Sequence, residues 1–398
     1  MNVLVTYGWC RTAYSVAMSL AEAGHSVSVC ASSPLSMSRF SRFVRTFDLV
    51  PDPFADEAGY VAAVAAVAAK RNIAVIMPVH EDALAIQRHL HLLPATVKVA
   101  SPGRDALELA LDKWELLRTA AEIGVPIPRT SAPASIEAAE RAFQETGFPL
   151  VIKPRRGNSG KGVAIAHDFE TARDSYRRLI AQLGLDYGRP PIIQAFVAGD
   201  LVGSAFFADS GRLMACFTER YLRCKHAGFG TSVLREPYRN EELPCWTARL
   251  VQRLHWHGAG HLDFIVPRDG SPVLIEMNPR FWGALQMSIL NGYNFPLAVF
   301  EQTAFGNVKS ECFTTNGTPA RCLWIAGELI ACVEELRHRL WTAPVRSALR
   351  IVSPGVFARY DDFRWDDPIP FLAELCYYGT GFVRSGCETN PIQSGHLG

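Results

Sequence analysis

Three oxygen-bearing side chains and an arginine stand close together in the segment HGAGHLDFIVPRDGSPVLIEMNPRF, residues 257–281. Glu276 and Asn278 are two residues apart, so on a strand they face the same side, and Arg280 continues that spacing. Antiparallel pairing across a hairpin turn can bring Asp263 alongside them. Carboxylate and amide oxygens are the ligands that Mg²⁺ or Mn²⁺ prefers, and a guanidinium suits phosphate or carboxylate oxygens. The segment therefore predicts a metal site at Asp263, Glu276 and Asn278 with Arg280 beside it.

An ordinary hairpin with a polar outer face is the alternative interpretation of this segment. Against it, Glu276 and Asn278 alternate with the apolar residues Ile275 and Met277. Burying oxygen-bearing groups among apolar neighbours is costly unless a partner compensates for the lost water. The alternation therefore favours the metal site.

A lysine inside an apolar strand is the second candidate, in LVIKPRRGNSGKG. Lys153 needs an anionic partner if it is buried. The loop that follows contains glycines, which let backbone N–H groups approach phosphate oxygens, and it adds a hydroxyl and a charge. Its candidate phosphate contacts are Gly157, Ser159, Gly160, Lys161 and Gly162. The spacing is not that of a Walker A loop, and a plain β-turn is the alternative.

The segment IIQAFVAGD is a strand that runs into a short linker. The backbone of Ala195 and Val197 can meet the edge of an adenine, and Gln194 and Asp200 are candidate contacts to base and ribose. Taken alone, the segment is only a strand end. Lys113, in DKW, is similarly weak evidence, since a solvated helix lysine is the favoured interpretation when the residue is taken alone.

A basic segment, TERYLRCKHAGFGTSVLREP, supplies candidates for binding a carboxylate and developing phosphate charge: Arg220, Arg223 and Lys225. An exposed basic loop is the alternative. Glu81 follows a predicted strand, at the edge where open sheets bind ligands. It is equally consistent with contact to a second substrate and with capping of the next helix.

The elements that must position these residues begin with alternating strands and helices. Short apolar runs (MNVLVTY, SVSVCAS, IAVIMPV and VKVAS) predict buried parallel strands, with helices after the first strand and over residues 57–71. The fingerprint GxGxxG is missing, which disfavours a nicotinamide enzyme. Further on we predict a helix over 112–123, hairpins turning at 209–211 and 269–271, and one apolar helix over 284–305.

Composition excludes several classes of protein. The 398 residues carry a net charge of +1, which gives no support for a nucleic-acid partner or an anionic membrane. The N-terminus lacks the pattern of a signal peptide, and no apolar stretch is long enough to span a membrane. The ten cysteines form no CxxC pair and are interpreted as reduced thiols of a cytoplasmic protein.

Taken in order, Lys113, Lys153 with its Gly-rich loop, the QAFVAG linker, Asp263 and the sequence EMNPR resemble the ATP-grasp superfamily over about residues 1–305. The similarity is greatest to the carbamoyl-phosphate-synthase-like group of carboxylate–amine ligases, where NPRF-type sequences are usual. This resemblance implies an α/β and α+β fold: an N-terminal Rossmann-like parallel sheet, a two-lobed ATP-grasp fold and a small C-terminal appendage. We place the boundaries at 1–110, 111–195, 196–310 and 311–398, and expect the appendage to be packed and the last ten or so residues to be disordered.

The resemblance also implies roles for the candidate residues. Lys113 and Lys153 would hold the phosphates of ATP, Ala195 and Val197 would contact adenine, and Asp263, Glu276 and Asn278 would hold two Mg²⁺ ions. Two departures affect the linker: Ala195 stands where many relatives have Glu, and Leu201 stands where a ribose-binding acid is often found. Asp200 could replace that acid.

The implied activity is activation of a carboxylate as an acyl phosphate and its coupling to an amine, with release of ADP and phosphate. The expected partners are a small-molecule carboxylate and an amine, and a homodimer is left open. Two alternatives are carboxyphosphate chemistry, in which bicarbonate is the activated carboxylate, and a regulatory protein that binds ATP without turnover. Retention of the metal ligands disfavours the regulatory protein.

Overall fold

A computed structural model describes residues 1–158, 160–184, 189–226, 229–268, 270–314, 319–337, 340–352 and 359–384. The predicted turn residue Asp269, the loop residue Ser159 and the C-terminal end of the chain lie outside these ranges. Within them, no helix is both long and apolar enough to cross a bilayer.

The first unit is a five-stranded parallel sheet with strand order β3-β2-β1-β4-β5, as the alternating pattern predicts. Its elements are β1 (Asn2–Val5), α1 (Arg11–Glu22), β2 (Ser26–Ala31), β3 (Thr46–Leu49), α2 (Glu57–Lys70), β4 (Val75–Met77), α3 (Asp82–Arg88), β5 (Lys98–Val99) and α4 (Arg104–Leu111). Most residues of the inner strands β1, β2 and β4 are buried because helices cover both faces, whereas the edge strands β3 and β5 are partly exposed, so the prediction that VKVAS is a buried strand is wrong. The chain leaves β1 to one side and returns to β4 on the other, so the carboxyl ends of β1 and β4 flank the crevice where open sheets bind ligands.

The second unit is a four-stranded antiparallel sheet with order β6-β9-β7-β8. It follows α5 (Lys113–Glu122) and contains β6 (Thr130–Ser131), α6 (Ile136–Thr146), β7 (Leu150–Lys153), β8 (Ala164–Ala166), α7 (Phe169–Leu183) and β9 (Ile192–Ala195). Its core is formed by Phe143, Leu150, Ile152 and Tyr176. This small layer presents Lys153 and the Gly-rich loop to the third unit.

The third unit is a seven-stranded sheet with order β14-β13-β10-β11-β12-β15-β16. Its elements are β10 (Asp200–Asp209), β11 (Arg212–His226), β12 (Phe229–Pro237), α8 (Glu242–Arg253), β13 (Gly258–Val266), β14 (Val273–Asn278), α9 (Leu285–Leu290), α10 (Phe295–Phe305), β15 (Cys322–Leu323), α11 (Ile325–Arg337), α12 (Ala343–Val352), β16 (Arg359–Tyr360) and α13 (Ile369–Arg384). The turn between β10 and β11 has positive φ at both Ser210 and Gly211, which is the geometry that a tight hairpin requires.

The prediction of one apolar helix over 284–305 is wrong, because the structure has two helices, α9 and α10. Between them Gly292 adopts a φ of 87°, and the Asn294 side chain accepts a hydrogen bond from Leu297 N–H to cap α10. Asn-Gly is a turn signal that outweighed the continuous apolar pattern.

The segment from residue 311 onward is integrated with the rest of the fold and does not form a separate appendage. Strands β15 and β16 extend the large sheet, and α13 packs against the turn at Met37–Phe40 of the first unit. Trp324 is buried, as expected for a packed segment, whereas Trp341 and Trp365 are 78% and 87% exposed. The tail therefore contributes to the wall of the cavity described next.

Candidate active site

A cavity of about 1140 Å³ lies where the three sheets meet. Its walls come from the carboxyl end of the first sheet, the Gly-rich loop, the inner strands of the large sheet, and helices α11 and α13. The candidate residues that line it are Lys113, Lys153, Gly157, Gly160, Lys161, Gln194, Ala195, Val197, Lys225, Asp263, Glu276, Asn278 and Arg280. The fold thus brings together residues that are up to about 170 positions apart in the sequence.

The predicted metal ligands converge on one face of the β13–β14 hairpin. Asp263 stands directly opposite Glu276 in the antiparallel register, so their side chains project from neighbouring positions on the same face. Asn278 Nδ2 donates to Asp263 Oδ2 at 2.8 Å, which leaves the amide oxygen of Asn278 for another partner. Two carboxylates and an amide oxygen therefore share one patch of the cavity wall.

Burial raises the pKa of Asp263 to about 6, with the imidazole of His261 opposing that rise and the carboxylate of Glu276 adding to it. Tyr221, on β11, donates its OH to Asp263 Oδ1 at 2.7 Å and fixes the carboxylate from across the intervening strand β10. Two close carboxylates disfavour each other's ionisation, and a cation between them would relieve this. Among the described residues no group of three or more His, Cys, Asp or Glu is placed to hold a metal, so the candidate site depends on this mixed set of ligands.

Lys113 reaches the same patch from the start of α5. Its Nζ lies 3.5 Å from Glu276 Oε2 and donates to the Gly157 carbonyl at 2.6 Å. Asp112 caps the helix by accepting from Trp114 N–H, and Arg155 clamps Asp112 at 2.7 Å. This network fixes the first turn of α5, so Lys113 is not the solvated helix lysine of the alternative interpretation.

Lys153 is buried at the end of β7 and points across to the large sheet. Its Nζ donates to the Ile275 carbonyl at 3.1 Å, next to Glu276. Burial lowers the pKa of Lys153 to about 8, an effect that Glu276 opposes and Lys113 reinforces. Keeping the charged ammonium buried costs folding free energy. Such a shifted pKa is typical of residues at functional sites.

The Gly-rich loop adopts backbone conformations that favour glycine. Gly157, Gly160 and Gly162 have φ values of 120°, 73° and 70°. A side chain at Gly162 would also meet Leu179 Cδ1 at 3.0 Å. Gly157 and Gly160 line the cavity, whereas Gly162 lies behind it and packs the loop against α7.

The linker after β9 fits its predicted contacts to adenine and ribose only in part. Gln194 is buried and donates to Thr130 Oγ1 at 2.9 Å, and the N–H of Ala195 donates to the Arg129 carbonyl. Asp200, the candidate ribose contact, lies outside the cavity, with a side chain that is 64% exposed and paired with Arg220. Leu201, at the position where relatives often have an acid, does line the cavity.

Only one of the three basic candidates on β11 faces the cavity. Lys225 lines it, but Arg220 points outward to Asp200 and Glu236. Arg223 points to α11, where it donates to Glu328 at 2.6 Å. Alternation separates Arg220 from the other two, but Arg223 and Lys225 would share a face of a regular strand. Register shifts in the β11–β12 pairing between Tyr221 and His226 interrupt that regularity.

We expect Arg223→Ala to reduce stability rather than catalysis. Glu328 is fully buried and Arg223 is its shortest contact, while Arg350 is a second cation at 3.4 Å. Removing one partner leaves a poorly compensated buried charge, so we expect the free energy of unfolding to fall by about 2–4 kcal/mol. Urea unfolding measures this change, and a normal kcat is expected below the unfolding transition. A kcat lowered more than about 10²-fold with unchanged stability would instead assign Arg223 to the chemistry.

Arg280 and Glu81 meet at the opening of the Gly-rich loop. Arg280 Nε lies 3.8 Å from Glu81 Oε1, and its Nη1 donates to the Phe281 carbonyl at 3.0 Å. Glu81 occupies the position before α3 without capping it, and instead accepts from Asn158 Nδ2 at 2.9 Å. The capping alternative for Glu81 is therefore not what the structure shows.

The sequence interpretation missed several residues of the site. Tyr221 orients Asp263, Asn158 ties the loop to Glu81, and Arg11 lines the cavity from the start of α1. Asn158 lies inside the loop already singled out and could have been included. Nothing in the local sequence distinguishes Arg11 or Tyr221.

Comparison with known proteins identifies the domain in which most of these residues lie. A family model of the ATP-grasp domain matches residues 110–284. Human mitochondrial pyruvate carboxylase is 25% identical over 199 residues, which is 47% of this chain and 17% of that protein. The carbamoyl phosphate synthase large chain of Vibrio cholerae is 26% identical over 260 residues, 60% of this chain and 23% of that protein. The chain thus spans about a fifth of the length of these curated relatives.

A solved structure shows the same fold. The biotin carboxylase domain dimer of the Hydrogenobacter thermophilus 2-oxoglutarate carboxylase, in complex with MgADP, ADP and bicarbonate, superposes with a TM-score of 0.66 and 16% identity. The match covers 79% of this chain and 72% of that one. Residues 110–284 therefore match an ATP-grasp domain, and a parallel N-terminal sheet precedes it, as the sequence predicts.

Proposed function

We propose that this protein is an ATP-dependent ligase that phosphorylates a carboxylate and transfers the acyl group to an amine, releasing ADP and phosphate. The observation that carries the proposal is the convergence of Lys113 and Lys153 on the Asp263–Glu276–Asn278 face inside one cavity. Phosphoryl transfer needs little covalent help from the protein, but it needs positioned cations around the transferred group. Lys113 and Lys153 supply fixed cations, and the acidic face offers ligands for a metal cation.

The acidic face fits Mg²⁺. The ligand set is Asp263, Glu276 and the amide oxygen of Asn278, and Mg²⁺ typically binds one or two carboxylates together with nucleotide phosphates. These residues would hold the ion, which would supply positive charge to neutralise the phosphate oxygens. Burial is the main cause of the raised pKa of Asp263 and the carboxylate of Glu276 adds to it, so a cation bound beside both would stabilise the ionised form.

The residues of the chain then bind and orient the reactants. Lys113 and Lys153 contact the phosphate tail, and the glycine loop closes over it with Lys161 at its edge. Arg280 stands where it can bind the transferred phosphoryl group while Glu81 holds its side chain. The carboxylate oxygen attacks the γ-phosphorus, the bond to ADP breaks, and an acyl phosphate forms.

The second half of the reaction is attack of a neutral amine on the acyl carbon, with phosphate as the leaving group. Exclusion of water protects the acyl phosphate until the amine arrives. No nucleophile of the chain is required. Cys10 lines the cavity, but burial raises the pKa of its thiol and keeps it protonated, so we give it no role.

Carboxyphosphate chemistry is the second candidate. It is favoured by the structural neighbour whose complex contains MgADP and bicarbonate. In that reaction bicarbonate takes the place of the organic acid and the amine is carboxylated. A regulatory protein that binds ATP without turnover is disfavoured, because the metal ligands and both lysines are retained.

An ADP-release screen tests the proposal. Organic acids and amines are supplied pairwise with MgATP, with and without bicarbonate, and ADP is measured. The ligase predicts ADP release that requires both an acid and an amine. Release that requires bicarbonate in place of an acid supports the second candidate, and nucleotide binding without release under any combination supports the regulatory protein.

We expect the affinity for the acid to fall as pH rises through about 8, because Lys225 loses its charge there. Burial lowers the pKa of Lys225 to about 8, and Lys161 adds to this effect while Glu334 opposes it. The ammonium is therefore present below that pH and lost above it. The KM for the acid across the alkaline range measures the effect, and Lys225→Arg is expected to keep the affinity high. Identical profiles for the wild type and Lys225→Arg would exclude Lys225 as the group.

A further inference from the structure

We propose, on the basis of the proposed function, that the acid substrate carries a bulky apolar group, preferably aromatic. The group would occupy a second compartment of the cavity, built by the first turn of the chain and the two C-terminal helices α11 and α13. This compartment, which we call the aromatic compartment, is defined by Trp9, Leu329, Val333 and Tyr377.

The walls of the aromatic compartment come from segments far apart in the sequence. Trp9 stacks on Tyr377 with ring centroids 4.6 Å apart, which joins the first sheet to α13. Leu329 and Val333, one turn apart on α11, line the same cavity and are 40% and 36% exposed. Apolar side chains that face a cavity in this way gain free energy when a ligand covers them.

The aromatic side of the compartment includes a residue with a strained backbone. Tyr7 has a φ of 57°, a left-handed conformation that is unfavourable for a bulky residue. Its ring stacks on His80 at 4.4 Å and contacts Trp9 at 5.4 Å, at the carboxyl ends of β1 and β4. Strain of this kind persists where the surroundings impose it, and it is common at ligand sites.

The size of the cavity is consistent with two ligands. A volume of about 1140 Å³ exceeds the range of about 300–1,000 Å³ that is usual for one ligand. Lys113, Lys153 and the acidic face line this cavity, and the aromatic compartment includes none of them. A nucleotide bound at these polar residues would leave the aromatic compartment for another molecule.

Cations mark where the carboxylate of that molecule would lie. Lys225 lines the cavity, where Lys161 and Arg11 are neighbouring cations and Glu334 is a neighbouring acid. Arg11 is 7% exposed, has Asp361 Oδ2 at 3.6 Å from its Nε and lies over the Trp324 ring at 3.7 Å, while its Nη2 makes no hydrogen bond within the described part of the chain. A carboxylate at Lys225 and an apolar group against Trp9 and Tyr377 would satisfy both kinds of surface with one molecule.

Trapping of the acyl phosphate with hydroxylamine tests this inference without knowledge of the natural amine. Hydroxylamine attacks the acyl carbon, phosphate leaves, and the hydroxamate is measured. Acetate, butyrate, hexanoate and 3-phenylpropionate are compared by kcat/KM. We expect a rise of about fourfold for each buried methylene and the highest value for 3-phenylpropionate. Equal values for all four acids would overturn the inference while leaving the ligase proposal intact.

A matched pair of variants locates the compartment. Val333→Trp fills it from α11, and we expect at least a tenfold loss of kcat/KM for 3-phenylpropionate with little change for acetate. Val345→Trp is the control, because Val345 is a 65% exposed valine on α12 that does not line the cavity. Equal behaviour of the two variants would contradict the assignment.

Binding measurements keep the inference testable if no acid is activated. Calorimetry with 3-phenylpropionate and with propionate, in the presence of a non-hydrolysable ATP analogue, requires no turnover. We expect tighter binding of 3-phenylpropionate to the wild type and loss of that preference in Val333→Trp. Absence of the preference in the wild type would overturn the inference by itself.

Discussion

Replacing Glu276 by glutamine is expected to lower the rate of ADP release by about 10³-fold, the scale seen when a group that stabilises transferred charge is lost. The amide keeps the shape of the side chain but removes its negative charge. Lys113 would lose its carboxylate partner at 3.5 Å, and Asp263 would remain as the only carboxylate of the metal face. The concentration of Mg²⁺ needed for half-maximal activity should rise in parallel.

The measurement is ADP release as a function of Mg²⁺ concentration, with nucleotide affinity determined separately. Glu137→Gln is the matched control, because Glu137 is exposed on α6 and does not line the cavity. Turnover in Glu276→Gln equal to that of the control would remove the metal assignment and with it the mechanism.

Lys153→Met is expected to weaken ATP binding by about 10²-fold and at the same time to stabilise the fold. The loss of affinity follows from removing one partner of a buried, charge-assisted contact to phosphate. The gain in stability follows because burial disfavours the ammonium, which lowers the pKa of Lys153 to about 8. Methionine has a similar shape and no charge to desolvate, so we expect the free energy of unfolding to rise by about 1–3 kcal/mol at neutral pH.

The sign of the pH dependence provides a second check on Lys153. The folded pKa is about 8 and the unfolded value is near 10.5, so between these pH values the unfolded chain binds more protons. Wild-type stability therefore gains from rising pH in this window, and the advantage of Lys153→Met should shrink as pH rises from about 8 to about 10.5. Urea unfolding of the nucleotide-free protein at several pH values measures the difference in free energy of unfolding between Lys153→Met and the wild type. A difference that does not change with pH would show that Lys153 is not desolvated.

Strand periodicity made much of the acidic face predictable. The two-residue spacing of Glu276 and Asn278 requires them to share a face, whatever the rest of the fold does. The position of Asp263 opposite Glu276 depends on register, and a bulge between Asp263 and Phe264 adjusts that register locally. The hairpin was therefore predictable, but the contact between the carboxylates was decided by the sheet.

The basic strand shows where sequence reasoning fails. Arg220, Arg223 and Lys225 are chemically similar and close together, and sequence alone does not distinguish them. The fold directs Arg223 to Glu328, more than a hundred residues later, and Arg220 to Glu236 on the next strand. Burial of a charge requires a partner, and the partner is known only once distant segments are placed together.

The sequence by itself determined the parallel first sheet, the glycine loop and the hairpin that carries Asp263, Glu276 and Asn278, because these depend on local periodicity, turn chemistry and spacing. The tertiary structure decided which cations face the cavity, that Glu81 points to the loop, and that Trp9 stacks on Tyr377. The physical reason is that local conformation is set by neighbouring residues, whereas burial and charge pairing are properties of contacts between segments that only the folded chain brings together.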